Sequence, residues 1–360
     1  MAILALPAVA GKFGVRGGGY TMSNSGAWGL DADTWVYTPL PSSRLVHMNR
    51  LGRALTEFDD PPVKVLFVYN CNPLATMPDQ NRVKRGLERE DLFTVVFEQT
   101  MTDSAKYADV VLPATTFLEH YDLAKGYGAY HFHLVQPAIE PVGEARPNHE
   151  VFLELAVRLG LREADREDDA LAQTGGLLEV MSHLPDALSR VVHDGGVARG
   201  PGDGTPIQFV DVHPRTPDGR VHLFPEDLET AAGLYAFRPD PATGEYPLAL
   251  ISPASAHTIS STLGEFRPGI AKLKMHPDDA RLRDIKNADS VRVFNDLGEV
   301  WCEALITPEV RPGVVSLPKG LWARSTENGA SSNALVPDAL TDLAGGACFN
   351  DARVDVEKRL

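Results

Sequence analysis

Apolar and polar positions fall into two patterns along the chain. From Pro61 onward, Val63 to Asn70 (VKVLFVYN) is an almost unbroken apolar run, the pattern of a strand buried on both faces. The turn-rich stretch Asn70 to Asp79 (NCNPLATMPD) follows, then the polar, helix-compatible segment Gln80 to Glu90. Leu92 to Phe97 (LFTVVF) reads as a second buried strand. Ser104 to Tyr107 suits a short helix, and Asp109 to Leu112 a third strand closed by Pro113. This order predicts βαβ units and a parallel sheet. Residues 119–147 read as loop, apart from the alternating His131-Phe132-His133. Asn148 to Leu161 places Phe152, Leu155, Ala156 and Leu159 on one helical face, with Asn148 as N-cap.

From about Tyr246 short apolar or alternating segments recur between turns: Leu248–Ile251, Ser290–Phe294, Val300–Ile306, Val314–Leu317 and Arg353–Val356. That pattern predicts an all-β module, a small barrel, with one short helix at Pro277–Arg283. The Gly- and Pro-rich stretch Asp194–Pro206 reads as a boundary. The expected division is an α/β part over 1–195, a connector over 196–245 and a β-barrel domain over 246–360.

Composition narrows the function classes. The 360 residues carry a net charge of −15, which argues against broad binding to nucleic-acid phosphates and to anionic lipid. At 43% hydrophobic and 23% charged, the chain is globular. Cys71, Cys302 and Cys348 are widely spaced and form no Cys-x-x-Cys pair, so they make neither a disulfide framework nor a zinc or iron–sulfur signature. Met1 to Ala10 (MAILALPAVA) lacks the basic start of a signal peptide and reads as a buried helix or an internal piece. No apolar run approaches the ~18 residues of a membrane span. The expectation is a soluble cytoplasmic protein with no nucleic-acid partner and no membrane segment.

Ligands of parallel α/β sheets lie beyond the carboxyl ends of the strands. There the chain carries Asn70-Cys71-Asn72-Pro73, Phe97-Glu98-Gln99-Thr100 and, after the third strand, Glu119-His120. Amides and a carboxylate at strand ends suit a nucleotide-shaped site, although Asn70 and Asn72 also suit a plain turn. The cluster Gly14, Gly17, Gly18 and Gly19 is a phosphate loop or a tight turn; it lacks the dinucleotide and P-loop spacings. His131 and His133 are a metal pair or ordinary hydrogen-bonded histidines, and Cys71 a ligand-loop thiol or a small packed side chain. Ser252 to Ser261 (SPASAHTISS) is a hydroxyl-rich loop directly after a strand, able to bind phosphates or a polar ring system, or simply a polar loop.

Several segments in order resemble the molybdopterin-dependent oxidoreductases of the dimethyl sulfoxide reductase family, which includes formate dehydrogenases and nitrate reductases. The segments are Asn70 to Asp79, Thr102 to Glu119 (TDSAKYADVVLPATTFLE), Ser252 to Thr262, Asp289 to Trp322 and Asn333 through Val356. The resemblance implies an α/β fold with a partial, Rossmann-like parallel sheet, followed by a double-psi-like barrel. It implies a bis(molybdopterin guanine dinucleotide) cofactor carrying molybdenum or tungsten. Carried over by position, Asn70 and Asn72 are similar to guanosine contacts, and Phe97 and Glu98 to a nucleotide-binding pair. His120 matches a polar contact, and Asn148 a position often acidic. Ser252, Pro253, His257, Thr258, Ser260 and Ser261 match the barrel loop around the pterin and its phosphates. Asn333 matches an asparagine near the cofactor, and Asn350 a position often occupied by Lys.

Chains of that family are about twice as long, and their amino-terminal part supplies the metal ligand and often an iron–sulfur cluster. The resemblance therefore casts this chain as a carboxyl-terminal half: a split subunit, a fragment or an incomplete gene model. Its expected partners are an amino-terminal half, an electron-transfer subunit and a small-molecule substrate. No metal-ligating or catalytic residue is assigned, and an iron–sulfur cluster enters only with an amino-terminal part. The parallel sheet should then expose an edge. The alternatives are a non-catalytic scaffold or assembly subunit that keeps the fold, and an unrelated nucleotide-binding enzyme that uses Gly17–Gly19.

Overall fold

The protein is described by a computed structural model covering residues 2–20, 43–126, 129–161, 194–200, 205–214, 216–225, 233–236, 245–255, 259–266, 269–341 and 345–359. In chain order the first elements are α1 (Ala2–Val9), α2 (Leu51–Glu57), β1 (Val65–Tyr69), α3 (Pro73–Thr76), α4 (Gln80–Leu87), β2 (Phe93–Glu98) and β3 (Val110–Pro113). Then come β4 (Asp122–Lys125), β5 (His131–Val135), α5 (Asn148–Arg158) and β6 (Val197–Arg199). The remainder is β7 (Leu248–Ile251), β8 (Lys272–Met275), α6 (Pro277–Arg281), β9 (Ser290–Asn295), β10 (Gly298–Ile306), β11 (Val314–Ser316) and β12 (Ala352–Lys358). They form two compact units, each discontinuous in sequence: Met1–Ser43 with Thr115–Arg238, and Arg44–Ala114 with Pro239–Leu360.

In the second unit, β1, β2 and β3 form the expected parallel sheet, with Val65 opposite Phe93 and Val95 opposite Val110. Only the central strand is well buried: Thr94, Val96 and Phe97 on β2 are enclosed. The expectation that β1 is buried on both faces is corrected, because Val65 is 62% and Tyr69 46% exposed. Among the described residues β1 and β3 are both edge strands, so each lacks a neighbour on one side, and the expected open edge is present. Helices α2 and α4 pack Leu55, Val83 and Leu87 with Leu74, Met77 and Leu92 into a common apolar cluster.

The same unit holds a closed six-stranded barrel, ordered β10-β8-β11-β7-β12-β9. The β10–β8 and β11–β7 pairs are parallel and the rest antiparallel, the mixed pairing of the double-psi-like barrel expected. Inward positions alternate along each strand. Leu248 and Leu250, Val291 and Val293, Val300, Cys302 and Ala304, and Val354 and Val356 fill one core. Strand β8 was not foreseen. Its sequence KLKM sends Leu273 and Met275 inward with two lysines between, an alternation too short to register by itself.

In the first unit, β4, β5 and β6 form an antiparallel sheet. The loop expected over 119–147 is thereby corrected, as is the plain connector around Asp194–Pro206, which contributes β6. These strands are four, five and three residues long and are stabilised by pairing rather than local pattern. His131 and His133 share one face of β5 opposite buried Phe132. Helix α5 begins at Asn148, but its N-cap is Pro147, and the residue it buries is Val151 rather than Leu159, which is exposed. Helix α1 forms but buries nothing, contrary to the buried helix expected. In the glycine cluster the Gly14 N–H donates to the Gln208 carbonyl and the Gly18 N–H to the Val15 carbonyl. The Tyr20 N–H donates to Gln208 Oε1. These amides serve a turn, not an anion.

Leu250→Ala removes a fully buried side chain from the barrel core. It is expected to cost about 2–5 kcal/mol, measured as a lower urea midpoint with unchanged slope.

Candidate functional site

The loop after β1 is built around Asn70 and Asn72. Asn70 has φ +52°, a left-handed conformation that Asn tolerates and that turns the chain sharply off the strand. Pro73 then opens α3 at a position where its missing N–H costs nothing. The Asn72 side chain is fixed by two donors: its Oδ1 accepts from the Ser104 hydroxyl at 2.7 Å and the Ser104 N–H at 3.3 Å. The same hydroxyl accepts from the Leu74 N–H at 2.9 Å. Because both bonds converge on Oδ1, the amide orientation is set and Nδ2 faces away from Ser104. That Nδ2 is buried and has no partner, in a residue only 3% exposed. An unsatisfied buried donor costs about 1–3 kcal/mol, which a ligand acceptor would relieve.

Asn70, Cys71 and Asn72 line a cleft of ≈ 240 Å³. Its other walls are Glu98, Gln99, Thr100 and Thr102 from the end of β2, and Ser261, Thr262, Leu263, Glu265 and Trp322 from the barrel loops. Two carboxylates and no Lys or Arg line it. Burial, opposed by a bond from the Gln99 N–H at 2.8 Å, and then the charge of Glu265 raise the Glu98 carboxyl above the ordinary glutamate range. Burial and the nearby Glu98 likewise push the Cys71 thiol up, although part of its surface is open.

The barrel side of the cleft depends on close backbone approach. The Trp322 indole N–H donates to the Ser261 carbonyl at 2.7 Å, and Arg324 stacks on its ring while donating to the Gly264 carbonyl at 2.6 Å. A Cβ at Gly264 would overlap that indole. Gly320 sits at φ +70° against the Ser260 carbonyl, where a Cβ would also overlap. Glycine is therefore required at both positions.

Of the residues expected to bind cofactor, the cleft brings together Asn70, Asn72, Glu98 and Ser261. The Phe97 side chain is fully buried in the sheet core and offers no ring to a ligand. Asn333 does not line the cleft; its Nδ2 donates to the Ala75 carbonyl at 2.9 Å. Ser252 is buried with its hydroxyl unpartnered, and its N–H donates to Asn350 Oδ1 at 3.1 Å. The Pro253 carbonyl accepts from the Lys319 N–H, and Ser260 is exposed at φ +52°. His257 and Thr258 lie outside the described residues. His120 and Asn148 belong to the first unit, where His120 Nδ1 pairs with the Thr115 hydroxyl at 2.8 Å. Sequence reasoning missed Trp322, Glu265 and Thr102, which reach the cleft from separate segments and carry no local motif.

No group of three metal-ligating side chains occurs among the described residues, and no helix there is long and apolar enough to cross a membrane.

Comparison with known proteins places the chain. Residues 19–158 match the family model described as molybdopterin oxidoreductase, and residues 253–353 the one described as molydopterin dinucleotide binding domain. Among curated relatives, the chain is 34% identical to Probable oxidoreductase YoaE of Bacillus subtilis (strain 168), over 99% of this chain and 53% of the relative. It is 28% identical to Dimethyl sulfoxide reductase DmsA of Escherichia coli (strain K12), over 83% of this chain and 42% of the relative. The chain thus spans about half the length of the curated relatives it matches. Acetylene hydratase from Pelobacter acetylenicus shares the fold, with a TM-score of 0.70 at 22% identity, over 88% of this chain and 47% of the other.

The raised Glu98 carboxyl has a pH consequence. The folded state holds its proton more tightly than the unfolded state, so this contribution to stability is present below the ordinary value of 4.5 and lost as pH rises through the raised value. Glu98→Gln is expected to abolish that fall, checked by urea unfolding of both proteins across the acid range.

Proposed function

Because the chain belongs to the molybdopterin oxidoreductase family, we propose that it binds and orients a bis(molybdopterin guanine dinucleotide) cofactor as the carboxyl-terminal portion of a two-electron oxidoreductase. The observation that carries this is the unpartnered Asn72 Nδ2 at the strand-end cleft.

The residues fit the nucleoside end of such a cofactor. Asn72 offers a buried N–H donor, Glu98 offers a carboxylate acceptor for ribose hydroxyls or base N–H groups, and Asn70 offers either. The absence of Lys and Arg from the cleft wall disfavours a diphosphate there. The phosphates and pterin belong in this proposal to the loop 252–261, where the Ser252 hydroxyl is buried and unpartnered. When bound, the cofactor supplies two-electron redox at molybdenum or tungsten. The chain's own residues bind, orient and exclude water. Trp322 and its stacked Arg324 hold the barrel loop against the cleft, and buried Thr102 and Asn72 leave little room for solvent.

An amino-terminal portion, an electron-transfer partner and a small-molecule substrate complete this picture, and the metal ligand comes from outside this chain. The open edges of β1 and β3 are where further strands can pair.

Full-length protein purified from molybdenum-replete cells is expected to contain metal and guanine nucleotide in comparable amounts, with metal analysis distinguishing molybdenum from tungsten. Asn72→Leu removes one donor worth about 1–3 kcal/mol, so nucleotide content should fall by about tenfold or more. Wild-type protein free of both metal and guanine nucleotide would overturn the proposal.

A further inference from the structure

Cys71 stands on the wall of the cleft between Asn70 and Asn72, with part of its surface open to solvent. Beside it Asn72, almost fully buried, presents an unpartnered Nδ2 to the same cleft. The other two cysteines do not line this space: Cys302 is buried in the barrel core and Cys348 is half-buried elsewhere. The cleft measures ≈ 240 Å³, below the roughly 300–1,000 Å³ of a small-molecule pocket. It has no slack for a ligand and an additional group together.

We propose that Cys71 is a thiol-modification site in direct competition with the cleft's ligand, so that an adduct on its sulfur and a bound nucleoside exclude one another. This rests on the cleft being the nucleoside site proposed above. The modifying reagent is a low-molecular-weight disulfide. The Cys71 thiolate attacks one sulfur of that disulfide and a new S–S bond forms to Cys71 as the old one breaks. The other half leaves as a thiolate and takes up the proton that Cys71 gave up. Burial and the Glu98 carboxylate keep the thiol protonated at neutral pH, so exchange is slow there and quickens as pH rises. A filled cleft protects the sulfur, and an empty one exposes it, which makes cofactor loading sensitive to an oxidised thiol pool.

The test compares full-length protein from molybdenum-replete cells with protein from cells unable to make the cofactor. Both are treated with N-ethylmaleimide, digested and read by peptide mass spectrometry, and bound guanine nucleotide is measured in the same samples. Cys71 labelling is expected to be about tenfold or more slower in the loaded protein, with Cys348 labelling unchanged. Cys71→Trp, which mimics a permanent adduct, should carry about tenfold less nucleotide while keeping the wild-type circular dichroism spectrum. If nucleotide is present but Cys71 labels equally in both preparations, the competition is overturned and the nucleoside site stands. If neither preparation holds guanine nucleotide, both fall.

Discussion

Buried polar side chains hold the strand-end loop of the parallel sheet against the barrel. The Gln80 amide uses both ends, its Nε2 donating to the Leu74 carbonyl at 2.7 Å and its Oε1 accepting from the Ser331 N–H at 2.8 Å. Asn333 donates to the Ala75 carbonyl, and Asp103 accepts from the Ala323 N–H at 2.6 Å. The Asp79 N–H adds a backbone bond to the Val336 carbonyl at 2.8 Å. Each bond joins residues more than 200 positions apart in the chain. In a dry setting these bonds are directional, and breaking one strands a buried partner, so they set position where apolar contact alone would allow sliding.

That clamp makes the cleft. It brings Asn72 and Glu98, which lie at the ends of parallel strands, to one side of a space whose other side is the barrel loop with Ser261 and Trp322. Asn333 belongs to the clamp and not to the cleft wall, so its contribution to the site is to seat helix α3. The closed barrel provides the rigid frame, since its core strands pair on both sides and leave no free edge. The sheet is the opposite case, with three strands and two open edges.

The cleft's chemistry follows from which groups the clamp collects. Two carboxylates in a partly dry space repel one another and favour a neutral, N–H-rich ligand surface over a phosphate. A donor that Ser104 leaves unpaired adds a single, fixed direction for an acceptor. These properties are consistent with a chain of the molybdopterin oxidoreductase family that contributes cofactor contacts and leaves the metal ligand to another segment.

Much of the molecule was legible in the residues themselves. The apolar runs before Asn70 and Phe97 marked β1 and β2, and the alternations after Tyr246 marked five of the six barrel strands, because local period and burial coincide there. Asn70, Asn72 and Glu98 could be picked out as a site because strand ends are where such sheets hold ligands. Tertiary structure alone decided the rest. Short strands such as β4, β6 and β8 exist because a neighbour pairs with them, and Leu159 is exposed because no described element covers it. Trp322, Glu265 and Thr102 join the cleft, and Asn333 leaves it, through hydrogen bonds between segments far apart in sequence. No local pattern can encode such bonds, because their partners meet only once the chain has folded.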